Sequence, residues 1–175
     1  MKAAVLYGKN DLRIVEVDKP KIGPTDILVK VKACAVCPTD IRRYRTGSRK
    51  VHGQDRTFNF PLNSGHEWTG EVVEVGEGVK GFRKGMRISA GGVFGGYAKY
   101  TSVPQHFIRL DMVLELPDNV SYEEGTFVEP LADCIHAVRD RSKVKAGDTI
   151  AIIGAGQMGL QQLMVAKNIA PQPLL

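Results

Sequence analysis

Gly and Pro punctuate the first 120 residues so closely that only short segments remain between them. Several of these segments read as strands. "MKAAVLY" and "LRIVEV" come first. "DILVKVKACAV" alternates at Val29, Lys30, Val31 and Lys32, as a half-buried strand does. "GEVVEVGEGV", "GMRISA" and "GYAKYTSV" follow, the last two joined by the glycines of "GGVFGG". Many short strands at this spacing predict a mainly β barrel or sandwich. "CPTDIRRY" is the exception: it predicts a short helix with Pro38 in its first turn.

The pattern then changes. "PDNVSYEEGTFVEPLADCIHAVRDR" reads as helical. Ser121 and Glu124 have capping-box spacing, so each side chain can satisfy the other's open backbone N–H. Pro130 can open a second helix with an apolar face of Leu131, Cys134, Ile135 and Val138. "KAGDTIAIIGAGQMG" reads as a turn, a buried strand and a glycine loop, with Leu160, Leu163 and Met164 on one face of the helix beyond. The order is a β-rich unit, a helical bridge, then the first β-loop-α of an α/β domain. There is no internal repeat.

Composition excludes some classes. At 43% hydrophobic and 25% charged residues, the 175-residue chain has the balance of a globular protein. The formal charge of +5 is mild and scattered, apart from "IRRYRTGSRK". That cluster belongs to no recognisable nucleic-acid module and reads as a solvated loop, not a nucleic-acid site. No secretory signal opens the chain, and no apolar run has the length of a membrane span. Three cysteines, Cys34, Cys37 and Cys134, argue against a disulfide framework and suit a reducing, cytoplasmic compartment.

Gly154, Gly156 and Gly159 match G-x-G-x-x-G, and they stand between a predicted strand and a predicted helix. Gly154 permits the tight turn, Gly156 lets the backbone approach a pyrophosphate, and Gly159 allows close helix–strand packing. Free N–H groups at the helix start favour an anion. A plain glycine-rich turn would have the same letters.

A second constellation is dispersed: Cys37 in "CAVCPTD", His66 and Glu67 in "SGHEWTG", and Glu129 in "FVEPLAD". Thiolate, imidazole and carboxylate are zinc ligand types, and three protein ligands with an open position make a catalytic arrangement. Each residue has a plainer reading: a core cysteine, a hydrogen-bonded turn histidine, surface carboxylates. Spacing alone does not bring them together.

At these residues the chain resembles the zinc-dependent medium-chain dehydrogenases, the family of alcohol, sorbitol, threonine and glucose dehydrogenases. The similar stretches are "DILVKVKACAVCPTDI", "GHEWTGEVVEVGEGVKGFRKGMRI", "GGYAKY", "VEPLADCIHAV" and "GDTIAIIGAGQMGLQQLMVAK", in the family's order. The resemblance implies a mainly β, GroES-like, partly open barrel with its helical bridge over 1–143. It implies the first strand and helix of a Rossmann NAD(P)-binding domain over 144–175. It implies that Cys37 and His66 are catalytic zinc ligands, with Glu67 and Glu129 as carboxylate ligands that different members use differently. Thr39 matches the hydroxyl that passes the substrate's proton, and Asp40 the acid that orients the zinc-bound histidine. Thr39 and Asp40 could instead simply cap the short helix.

The chain also departs from the family. Only "AGGVF" separates "GMRIS" from "GGYAKY", where many members carry four cysteines around a structural zinc, so one catalytic zinc and no structural zinc is expected. Pro38 replaces the usual Gly or Arg, and Arg42 stands where many members have a histidine. After "VAKN" the chain reads "IAPQPLL", whose prolines do not suit a central strand, and it resembles a truncation.

The resemblance therefore implies NAD(P)-dependent oxidation of a small secondary alcohol, polyol or sugar, with the 175-residue form itself lacking turnover. The alternative is a standalone GroES-like module that binds zinc or a protein partner. The apolar "TIAII" predicts a parallel strand with open edges, which pairs with another chain or is displaced from its family position, giving a homo-oligomer.

Overall fold

Strands β1 (Lys2–Gly8) and β2 (Asp11–Glu16) form an antiparallel hairpin in the computed structural model, which describes residues 1–51, 54–57 and 59–170. Residues 49–51 and 54–57 are described by backbone alone. Asn10 sits in the hairpin turn at φ 60, in the left-handed region that asparagine tolerates. The chain divides into two compact units, Met1–Phe127 and Val128–Leu175.

The first unit continues with β3 (Ile27–Cys34), α1 (Pro38–Thr46), β4 (Ser48–Val51), β5 (Gln54–Thr57), β6 (Leu62–Asn63) and β7 (Glu67–Val75). It ends with β8 (Arg87–Gly91), β9 (Tyr100–Val103), α2 (Gln105–Arg109), β10 (Val113–Glu115) and α3 (Tyr122–Gly125). Five antiparallel strands form the main sheet in the order β10-β8-β7-β3-β9. A smaller sheet has the order β2-β1-β6. Backbone at Tyr97 and Lys99 bonds to β1, and Lys99 O also accepts from Val31 N, so one continuous segment links the two sheets. The mainly β, GroES-like architecture expected from sequence is the one observed.

The alternation read in "DILVKVKACAV" places Ile27 and Val29 in the main core. They are joined by Trp68, Val72, Ile88 and Val103, all fully buried. Each such aliphatic side chain contributes about 1.5–3 kcal/mol by leaving water. The indole N–H of Trp68 donates to Val93 O at 2.6 Å, so its one polar atom is satisfied inside the core. The predicted capping box is present: Ser121 Oγ accepts from Glu124 N, and Glu124 Oε2 accepts from Ser121 N.

The second unit holds α4 (Val128–Ile135), a π-helical turn (His136–Arg141) and α5 (Gln157–Ile169). Its core joins Cys134 and Val138 to Val165 and Ala166, with Leu131 and Ile135 alongside. The face predicted for the helix at Pro130 is therefore the buried one. The face predicted for α5 is not. Leu160 and Met164 are exposed, and Val165, Ala166 and Ile169 pack inward. Apolar residues occur all round α5, so periodicity alone does not select a face.

The segment expected to form the first Rossmann strand, 149–153, is not a strand in this structure. A strand is held by a ladder, and no ladder reaches this segment among the described residues. Ile153 is wholly exposed. The compact units meet at Phe127/Val128, ahead of the boundary at 143/144 read from sequence, because α4 and the π-helical turn share a core with α5. The reading of "APQPLL" as a broken strand falls mainly on 171–175, outside the described residues. No helix among the described residues is long and apolar enough to cross a membrane.

Candidate metal centre

Three donor side chains converge at the ends of α1 and β7. Cys37 is the residue that caps α1, with extended backbone at φ −78 and ψ 146. Pro38 follows at the first helical position, where its preset φ costs nothing. Its ring therefore starts the helix directly after the thiol. His66 and Glu67 stand at the start of β7, both buried. Gly65, just before them, has φ +78; a Cβ there would lie 2.8 Å from the Tyr97 ring and 2.9 Å from Cys34 Sγ. Glycine is required on both counts.

One donor atom from each of Cys37, His66 and Glu67 lies within 4.8 Å of the others. Donors around a tetrahedral zinc are about 3.5 Å apart, as follows from metal–ligand bonds of 2.0–2.3 Å. A soft thiolate, an imidazole and a carboxylate are the donor set that zinc accepts. The residues present thus fit the metal in type and in proximity. This is the one such group of three or more among the described residues.

Asp40 lies behind this cluster and is buried. Its Oδ1 accepts from Ser64 Oγ at 2.6 Å and from Arg43 Nη1 at 2.8 Å. Its Oδ2 accepts from Tyr97 OH at 3.0 Å and from Cys37 N at 3.2 Å. Oδ1 is also 3.5 Å from His66 Nδ1. One carboxylate thus both accepts from the N–H at the start of α1 and faces the histidine. Burial pushes its pKa up, but hydrogen bonds from His66, Ser64 and Tyr97 and the His66 charge outweigh it. The carboxyl ends well below the usual range.

With Nδ1 facing Asp40, the other imidazole nitrogen faces Thr39, whose Oγ1 is 3.3 Å from Nε2. Thr39 is exposed, so its hydroxyl has both the nitrogen and solvent in reach. Burial pushes the Cys37 thiol up; bonds from Thr39 act against it, and the Glu67 charge adds to it. Burial raises Cys34 more, to about 12, with Asp40 and Glu67 contributing. Cys34 packs below the site, where a Cβ at Gly96 would come within 2.6 Å of its sulfur. Cys34 is a packing residue.

The structure leaves Glu129 in the second unit, on the first turn of α4, half-buried. The glycine loop is also in that unit. Gly154 has φ +108, as the tight turn requires. Gly156 caps α5, and a Cβ there would meet nothing within 4 Å, leaving the helix start open. At Gly159 a Cβ would collide with the Gly154 carbonyl.

The basic cluster read as a solvated loop is corrected here. Residues 38–46 are helical, and the helix turns Arg43 inward, one turn from Asp40. Arg42 instead lines a groove of about 440 Å³ with Pro38, Ile41, Arg45 and Thr46. The side chains of Arg49 and Lys50 lie outside the described residues. Sequence reasoning missed Arg43, Ser64, Phe94 and Tyr97. Only Arg43 left a signal, its i,i+3 spacing from Asp40 on a predicted helix.

Fold and cluster together define a GroES-like domain with three donor side chains close enough to fit a metal. Residues 23–118 match the alcohol dehydrogenase GroES-like domain, more than half of the chain, which belongs to that family among the zinc-type medium-chain alcohol and sorbitol dehydrogenases. It is 35% identical over 189 residues to the (R,R)-butanediol dehydrogenase of Bacillus subtilis, covering 91% of this chain and 53% of that one. It is 32% identical over 196 residues to the sorbitol dehydrogenase of Bombyx mori, covering 99% and 55%. The crystal structure of 2R,3R-butanediol dehydrogenase from Bacillus subtilis superposes with a TM-score of 0.80 at 32% identity, over 97% of this chain and 55% of that one. A structure from Sinorhizobium meliloti, described as a zinc-binding dehydrogenase bound to NADP, gives 0.80 at 32% identity, over 97% and 53%. The chain thus spans about half the length of the relatives it matches.

Proposed function

We propose that the chain carries the catalytic metal site and the first phosphate-binding turn of a zinc- and NAD(P)-dependent oxidoreductase of secondary alcohols, polyols or sugars. The observation that carries this reading is the convergence of Cys37, His66 and Glu67 within 4.8 Å, in a GroES-like fold. Relatives named for butanediol, sorbitol and threonine support the substrate class.

Cys37, His66 and Glu67 would hold zinc, with Glu129 as a further carboxylate ligand. When bound, zinc supplies Lewis acidity toward a substrate hydroxyl. Thr39 can take that hydroxyl's proton and pass one outward, because a hydroxyl both donates and accepts. Asp40 keeps the imidazole oriented through Nδ1. Gly154, Gly156 and Gly159 would receive the cofactor's phosphates at the start of α5.

The same reading includes a single catalytic zinc without a structural one, a homo-oligomer, and a reducing, cytoplasmic setting that suits three unpaired cysteines. Equilibrium dialysis against zinc tests the site. The wild-type chain should retain one equivalent and lose it in Cys37→Ser and His66→Gln. A wild-type chain that retains none ends the reading. NAD⁺ or NADP⁺ reduction with 2,3-butanediol, sorbitol and L-threonine tests the activity.

A further inference from the structure

Two residues outside the donor set, Arg43 and Phe94, enclose its histidine. Arg43 is buried on α1, its side chain 11% exposed. Its Nη1 donates to Asp40 Oδ1 at 2.8 Å and lies 3.3 Å from His66 Nδ1 and 3.4 Å from Ser64 Oγ. Its guanidinium carbon is 4.6 Å from the centroid of the Phe94 ring. That ring also meets the His66 ring, with centroids 5.8 Å apart and a tilt of 58°. Phe94 comes from "GGVFGG", the short loop before β9.

A helix cap needs one acceptor for Cys37 N, and Asp40 Oδ2 supplies it. The guanidinium serves Oδ1 instead, on the side that faces the imidazole. Arginine suits this place because its planar fork can stack on an aromatic ring while donating from its edge. The guanidinium thus sits between the Phe94 ring and Oδ1. In this arrangement the imidazole has Nδ1 facing this pair and Nε2 facing Thr39.

We propose that Arg43, seated on Phe94, is a positioning residue for His66 that sets the metal affinity of the cluster. This rests on the metal-site reading above. Arg43 touches no donor that would face the metal, and it acts through Asp40 and Nδ1.

Cobalt(II) titration of the full 175-residue chain, against a competing chelator, tests the proposal. The visible bands of bound cobalt report ligand geometry as well as occupancy. Arg43→Met keeps an unbranched apolar side chain but removes the guanidinium, and with it the donor, the charge and the stack on Phe94. It should bind cobalt at least tenfold more weakly, in line with the loss of a hydrogen-bonding partner behind a metal ligand, and with shifted bands. Arg43→Lys should recover part of the affinity. Unchanged affinity and bands in Arg43→Met overturn the proposal, even if thermal unfolding of the metal-free protein shows a weakened fold. Should Arg43→Met fail to fold, Phe94→Leu reads the other half of the clamp: weaker binding supports the proposal, and wild-type binding overturns it. Wild-type chain that takes up no cobalt, with Cys37→Ser as control, removes the metal-site reading and this one together. Equal uptake by wild type and Arg43→Met removes only this one.

Discussion

Asp40 Oδ1 lies 3.5 Å from His66 Nδ1, while Oδ2 of the same carboxylate accepts from the backbone N–H of Cys37. One side chain therefore ties the start of α1 to the start of β7, and so ties one metal donor to another.

Replacing that carboxylate should cost both fold and metal. Asp40→Asn keeps the shape but removes the charge that Asp40 presents to the buried Arg43 guanidinium. The expected loss is about 3 kcal/mol in urea unfolding of the metal-free protein. Zinc affinity should fall ten- to a hundredfold by competitive chelation.

The same residue gives a pH dependence with a fixed sign. The folded pKa of Asp40 is depressed, so its stabilisation is present above its unfolded value, near 3.9, and is lost as pH falls through the folded value. The stability gap between wild type and Asp40→Asn should be full at about pH 6 and shrink below about pH 4. A gap that instead widens on acidification would contradict this assignment.

Gly65→Ala should destabilise the first unit by at least about 2 kcal/mol, combining the left-handed backbone cost with overpacking. The new methyl would strike Tyr97 and Cys34. Chemical denaturation measures it, and a change under about 0.5 kcal/mol would mean that the loop before His66 relaxes freely.

The thiols should differ in reactivity. A raised pKa lowers the thiolate fraction, and Cys34 is raised to about 12 by burial first and then by the Asp40 and Glu67 charges. Alkylation at about pH 8 should modify Cys37 before Cys34, and zinc should protect Cys37 alone of the two. Peptide mass mapping over time distinguishes them; equal rates, or zinc protection of Cys34, would count against the site.

Trp68 is the chain's single tryptophan and is fully buried. Its emission should be blue-shifted in the native protein, inaccessible to iodide, and should move red in one step as the first unit unfolds. Trp68→Phe leaves Val93 O without its donor inside the core, at a cost of about 1–3 kcal/mol.

Local chemistry in the sequence was enough for strands β1, β2, β3, β7, β8 and β9, but not for β4, β5, β6 and β10; it was enough for α1 starting at Pro38, for the Ser121–Glu124 cap and for the donor types of Cys37, His66 and Glu67. These depend on periodicity, on one residue's φ, or on neighbours three apart, all of which are written in order along the chain. Tertiary structure alone decided the rest. It placed Cys37 beside His66, set Asp40 against both the start of α1 and the histidine, turned Arg43 inward and brought Phe94 against the Arg43 guanidinium and the His66 ring. It also chose Val165 and Ala166 over Leu160 and Met164 as the buried face of α5, and left 149–153 without a ladder. Each of these outcomes depends on which surfaces meet across long stretches of chain, and contact between distant residues has no local period from which it can be read.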